Sequence, residues 1–257
     1  MAEVPAAKIR KPPPPFRAVA VIRTEPITRR LMRVVVGGDA LVGFGTPEPA
    51  SSIRVVIPWP GDPFELPEWT GNEFLLADGR RPALRTFTPV TFDETAREMT
   101  FDIVRHPGGA ISSWVETAQP GDPVAVSGPG RSELIDIEAT RAIVVGDETA
   151  IPAIRQLIET TPAHIALEIT IETTTVEAEL PLPDRDGCTV TWSVLSDGDA
   201  PGAALLPPVE AAEIGPDDRV WAAGEAAGVQ KIRKHLAGRD VPRHHTTVRG
   251  YWKVPRD

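Results

Sequence analysis

Cysteine is almost missing from this chain. The 257 residues hold one, Cys188, which excludes an internal disulfide and any Cys-rich metal or iron–sulfur site. Positive charge is scarce too: a net charge of −9 argues against a general nucleic-acid binder, because neutralising phosphates takes clustered cations. No apolar run is long enough to span a membrane. The start, Ala7-Lys8-Ile9-Arg10-Lys11 and then four prolines, has cations but no apolar signal core. The expectation is a disordered lead-in over residues 1–15 and a cytoplasmic protein, with neither nucleic acid nor membrane insertion among its partners. His106, His164, His235, His244 and His245 show no metal-ligand spacing, so no metal site is expected. The GxGxxG dinucleotide fingerprint is absent as well, and no internal repeat is visible.

What is present fits a soluble globular protein: 41% apolar and 25% charged residues, in a chain long enough for two cores. From Phe16 to about Ile137 the residues alternate and break often. Strands are expected over Phe16–Ile22, Leu31–Val36, Ile53–Ile57, around Arg85, over Met99–Val104 and over Val124–Val126. Six short strands with Gly/Pro punctuation predict an antiparallel barrel or sandwich. One helical segment, Ala110–Thr117, interrupts them. Gly108 and Gly109 before it permit close approach to backbone N–H groups that favour an anion; the alternative is a plug closing one end of the barrel.

Beyond Glu138–Arg141 the texture changes. Ala142-Ile143-Val144-Val145 reads as a strand buried on both faces, ending in Gly146-Asp147-Glu148-Thr149. A helix follows to Thr160, with Thr149 as its expected N-cap and Asp147 and Glu148 as solvated loop charges. Further strands are expected over Ile165–Ile171, Thr189–Leu195 and Val220–Ala223, and Gly224-Glu225 opens a last helix. This alternation predicts a parallel, doubly wound domain with ligands at the carboxyl ends of its strands.

The stretch Leu84-Arg85-Thr86-Phe87-Thr88 offers a guanidinium for phosphate, a ring to stack on and two hydroxyls, which are parts a dinucleotide with a planar ring requires. An edge strand with a solvated Arg and a core Phe is the other reading of it. In order along the chain come Phe101-Asp102-Ile103-Val104-Arg105-His106 with Gly109-Ala110-Ile111-Ser112-Ser113-Trp114, then Gly146–Ile154, Ala222–Glu225 and Arg249-Gly250-Tyr251-Trp252. With these pieces the chain resembles the siderophore-interacting protein family, the NAD(P)H-dependent ferric-siderophore reductases of the ferredoxin-reductase superfamily.

That resemblance implies a six-stranded antiparallel FAD-binding β-barrel over 16–138 and a Rossmann-like parallel α/β domain for NADH or NADPH over 139–257. It implies that Arg85 holds the FAD pyrophosphate, Phe87 flanks the isoalloxazine, and Thr86 and Thr88 complete the strand, with Thr88 near the reactive nitrogen. His106, Gly109, Ala110, Ile111 and Ser112 take the remaining phosphate oxygens. Gly146, Asp147 and Thr149 cradle the coenzyme phosphates, and Gly224 and Glu225 sit by the nicotinamide, so Thr88 and Glu225 are the implied catalytic pair. Tyr251 and Trp252 join the cofactor residues, while Arg249 and Lys253 are candidates for the substrate, a ferric siderophore or other ferric chelate. Three positions depart from the family pattern: Phe87 replaces a usual Tyr, Val90 a common second Arg, and Ala110 a usual Pro. A flavin reductase or a reductase for another acceptor on the same scaffold, or a siderophore-binding module without redox activity, stands as the alternative. The ends of the second and third α/β strands, Glu172–Glu177 and Ser196–Asp199, hold no cation, which favours NADH over NADPH.

Overall fold

The computed structural model describes residues 12–106 and 109–254, so Gly108 and most of the expected lead-in lie outside the described residues. The first half is one curled antiparallel sheet. Its strands are β1 (Arg17–Pro26), β2 (Leu31–Gly37) and β3 (Ile53–Ile57), followed, after the two-residue pair β4 (Glu68–Trp69) and β5 (Phe74–Leu75), by β6 (Ala83–Phe87) and β7 (Pro89–Asp93). β8 (Glu98–Val104) and β9 (Pro123–Ser127) complete it. The six expected strands are all present, and Pro89–Asp93 adds a seventh.

The order across the sheet is β6-β3-β9-β1-β2-β8-β7. β6 and β7 are therefore its two margins, yet Thr88 alone separates them in sequence. The chain crosses the barrel seam at that residue. Phe87 stacks on Phe101 of β8 at 5.1 Å, and Pro89 is in register with the same Phe101. Inside the curl, Val21, Val34, Val55, Phe101 and Val126 form a core that α1 (Ala110–Thr117) closes with Ile111, Trp114 and Val115.

The second half is a five-stranded parallel sheet in the order β12-β11-β10-β13-β14. Its strands are β10 (Arg141–Asp147), β11 (Ala166–Thr173), β12 (Cys188–Val194), β13 (Asp218–Glu225) and β14 (Thr246–Trp252). Along β10, Ala142 and Val144 face one core with α2 (Ile151–Thr160), while Ile143 and Val145 face another with α3 (Leu206–Ala211) and α4 (Ala226–Gly238). Two-sided burial explains the unbroken apolar run. The stretch read from sequence only as an aromatic tail is a strand, β14, paired in parallel with β13.

The halves are bolted together by polar contacts. Gln156 on α2 accepts the Ala50 N–H at 2.8 Å and donates to the Pro89 carbonyl at 2.7 Å. Arg30, between β1 and β2, pairs with Glu148 at 2.8 Å. Both contacts hold the seam beside the carboxyl ends of the parallel strands.

Candidate active site

A cavity of about 640 Å³ lies where the two halves meet. Arg85, Thr86, Phe87 and Thr88 line its barrel side, with Asp102, Ile103 and Val104 of β8. Arg85 is exposed; its guanidinium donates to the adjacent Leu84 carbonyl at 2.7 Å and makes no ion pair among the described residues. Phe87 belongs to both readings at once, since it packs on the barrel core and lines the cavity. Thr88 is buried and hydrogen-bonds Tyr251, whose hydroxyl is pushed up to about 12, chiefly by burial.

His106, Ile111 and Ser112 form the next wall. The His106 backbone N–H donates to Ser112 Oγ at 3.1 Å, and the His106 ring lies over Trp252, 6.4 Å between centroids and 24° apart in plane. Among the described residues no side chain caps α1 at Gly109, which leaves its first N–H groups for a ligand. A side chain at Gly109 would meet the His106 ring at 2.5 Å, so that ring would have to shift to admit one. Gly109 and Ala110 do not themselves line the cavity.

On the α/β side Asp147, Glu148 and Thr149 line the cavity. Asp147 and Glu148 are buried, not solvated as their charge led us to expect. Asp147 Oδ1 accepts the Thr149 N–H at 2.9 Å and its hydroxyl at 2.5 Å. Thr149 is thus a donor to Asp147, and Asp147, not Thr149, is the N-cap of the turn leading into α2. Burial lifts the Asp147 carboxyl above its usual range, against the pull of these donors.

The expected glycine cradle is differently built. The space beside Gly146 is filled by Ala150 Cβ and Ile154 Cδ1, at 2.7 and 2.9 Å from where a Cβ would stand. The space beside Gly224, at φ +152°, is filled by the Asp147 carboxylate, 2.6 Å from such a Cβ. Neither glycine lines the cavity. Glu225, also buried and off the cavity, turns its carboxylate onto its own helix, accepting the N–H groups of Ala227 at 2.6 Å and Gly228 at 2.9 Å.

Tyr251, Trp252 and Arg249 line the cavity; Lys253 does not. Arg249 is paired with Glu133 at 2.6 Å. Sequence reasoning missed Arg30 and Arg131, both on the cavity wall, because nothing local sets them apart from other surface cations. His244 and His245 pack on each other at 4.3 Å, away from the cavity, and no metal-binding cluster occurs among the described residues. No helix among them is long and apolar enough to cross a membrane.

The residues fit FAD. The volume suits a small-molecule site, the unpaired Arg85 and the uncapped α1 suit a pyrophosphate, and Phe87 and Trp252 offer flat faces. A curled flavin-type sheet joined at such a cavity to a parallel nucleotide-type sheet defines a two-domain flavin–nicotinamide reductase. Residues 20–133 match the model of the siderophore-interacting FAD-binding domain and residues 139–254 that of the siderophore-interacting protein. The chain belongs to the siderophore-interacting protein family. A siderophore utilization protein from T. fusca, solved by crystallography, is 31% identical and superposes with a TM-score of 0.82 over 97% of each chain. The Escherichia coli NADPH-dependent ferric-chelate reductase is 28% identical over 92% of each chain. The Vibrio cholerae ferric vibriobactin reductase is 26% identical over 92% of this chain and 89% of its own. The ferredoxin reductase of carbazole 1,9a-dioxygenase, 17% identical with a TM-score of 0.65 over 92% of this chain and 68% of its own, shares the fold.

Proposed function

We propose that this protein passes electrons from NADH or NADPH through FAD to ferric iron in a siderophore or related chelate, releasing ferrous iron. The observation that carries the reading is the cavity that joins Arg85, Phe87 and Thr88 to Thr149 and Trp252. The reductase names of two relatives support the choice of acceptor. We place the FAD domain at 16–138 and the coenzyme domain at 139–257.

Bound FAD supplies the exchange between a two-electron hydride donor and a one-electron acceptor. The chain's own work is to bind and orient. Arg85 and the N-terminal turn of α1, from Gly109 and Ala110 to Ser112, hold the pyrophosphate by charge and backbone N–H groups. Phe87 and Trp252 would hold the planar ring, with the His106 ring stacked on Trp252. Thr88, bonded to Tyr251, would offer its hydroxyl to that ring. Thr149 and the N-terminal turn that Asp147 caps face the coenzyme phosphates. Gly146, Gly224 and Glu225 act through Asp147 and the turns it holds, as positioning residues. The ferric chelate docks at the mouth, where Arg131 and Arg249 are exposed.

The test is anaerobic. Purified protein should be yellow, bleach on adding NADH or NADPH, and regain colour when a ferric chelate is added. A colourless protein that takes up no FAD sinks the reading.

A further inference from the structure

The carboxyl end of β11 forms one end of the cavity, through Glu172, Thr173 and Thr174. Thr173 is 1% exposed, and its hydroxyl has no hydrogen-bond partner. A buried hydroxyl left unpaired is costly unless a ligand completes it. The groups around it are acidic. Glu172 is 3% exposed and accepts the N–H groups of Gly202 at 2.7 Å and Ala204 at 2.8 Å, fixing the loop that carries Pro201 into the cavity wall. Glu148 accepts the Thr174 N–H and hydroxyl, both at 2.8 Å. Arg30 lines the cavity beside these residues and is already paired with that same Glu148, while Arg29, close enough to act on Glu177, does not line the cavity. Arg185 and Arg233 lie off the cavity, with Arg185 Nη2 donating to the carbonyls of Pro162 and Ile165 and Arg233 to that of Val248. Leu195, beyond β12, and Pro201 add apolar wall.

We infer that this end of the cavity selects a coenzyme by its adenosine ribose: the Thr173 hydroxyl bonds a free ribose hydroxyl, and Glu148 and Glu172 exclude a 2′-phosphate. The inference rests on the reductase reading, and names NADH as the coenzyme of that site. In parallel α/β sheets the end of the second strand is where the adenosine ribose lies, and β11 is the second strand here. A sugar hydroxyl both donates and accepts, so it can complete Thr173. A phosphate dianion would instead meet two carboxylates, with Arg30 already paired to one of them, and like charges at contact distance repel.

The experiment is calorimetric titration of the flavin-loaded protein with NAD⁺ and NADP⁺, and with their adenosine halves 5′-AMP and 2′,5′-ADP, for wild type, Thr173→Val and Thr173→Ser. Wild type should bind NAD⁺ and 5′-AMP more tightly than their phosphorylated counterparts. Thr173→Val should weaken NAD⁺ about five- to ten-fold, the loss expected for one hydrogen bond, and Thr173→Ser should restore it. A preference for NADP⁺, or NAD⁺ affinity indifferent to Thr173→Val, overturns the inference and leaves the reductase reading standing. Failure of every one of the four ligands to bind overturns both.

Discussion

The Trp252 indole N–H donates to Asp147 Oδ2 at 2.7 Å, across 105 residues of sequence. The same oxygen accepts the Glu225 backbone N–H at 2.8 Å, and Oδ1 takes both donors of Thr149. One buried carboxylate thereby ties together the carboxyl ends of β10, β13 and β14. Gly224 makes room for it, because a Cβ there would collide with the carboxylate.

Asp147→Asn turns one acceptor oxygen into a donor in a site supplied only with donors. We expect a loss of about 1–3 kcal/mol, the cost of leaving buried polar groups unpaired. The check is the urea midpoint, together with the indole N–H resonance of Trp252, which should move upfield and exchange faster. An unmoved indole resonance would contradict the tether.

Arg85→Ala should lower FAD occupancy while leaving the fold intact, since among the described residues the exposed guanidinium hydrogen-bonds only the neighbouring Leu84 carbonyl. With no Arg at position 90 to share the load, one charge-assisted hydrogen bond of roughly 1.5–3 kcal/mol corresponds to affinity about ten- to a hundred-fold weaker. Flavin absorbance relative to protein after matched desalting measures it. Equal flavin content would remove Arg85 from the site.

Gly146→Val is expected to destabilise the α/β domain and not to act on coenzyme affinity alone. Its side chain would be driven into Ala150 and Ile154, and overpacking of this kind costs about 1–3 kcal/mol. A lower melting temperature is the expected result. An unchanged one with a raised KM would restore this glycine to the cofactor cradle.

Glu172 carries a pH signature. Burial holds its carboxyl above the usual range despite two backbone donors. The unfolded chain then loses its proton first, from about pH 4.3, so the contribution of Glu172 is fully present below that pH. It declines as pH rises through the elevated folded value. The stability of wild type minus that of Glu172→Gln should fall as pH rises from about 4 toward neutrality. A difference that grows over this window would reverse the sign.

Much of this was legible because local chemistry and period agreed. Ile53–Ile57 and Ala110–Thr117 match the residues singled out in advance, and the Arg85–Thr88 strand lies on the cavity. β14 was missed because only Val248 in it is buried, so it shows no apolar run. α3 was not singled out in the sequence; Pro207 and Pro208 stand in its first turn, where a missing N–H has no intrahelical acceptor. Asp147 and Glu148 were read as solvated because charge is the local signal. Their partners Trp252 and Arg30 lie 105 and 118 residues away. Burial set by such distant partners leaves no trace in the neighbouring sequence.

The crossing at Thr88 sets a condition on closure. β6 pairs with β3 and β7 with β8, so the five strands between them, β3, β9, β1, β2 and β8, must curl until the outer two meet at that residue, and β9 is the last of these to be synthesised. The edge that offers Arg85 and Phe87 is therefore complete only when β9 has joined β3 to β1. A nascent chain ending before residue 127 has no place to hold a flavin. Free FAD then recognises only the completed sheet, and by mass action it draws the unfinished population toward closure.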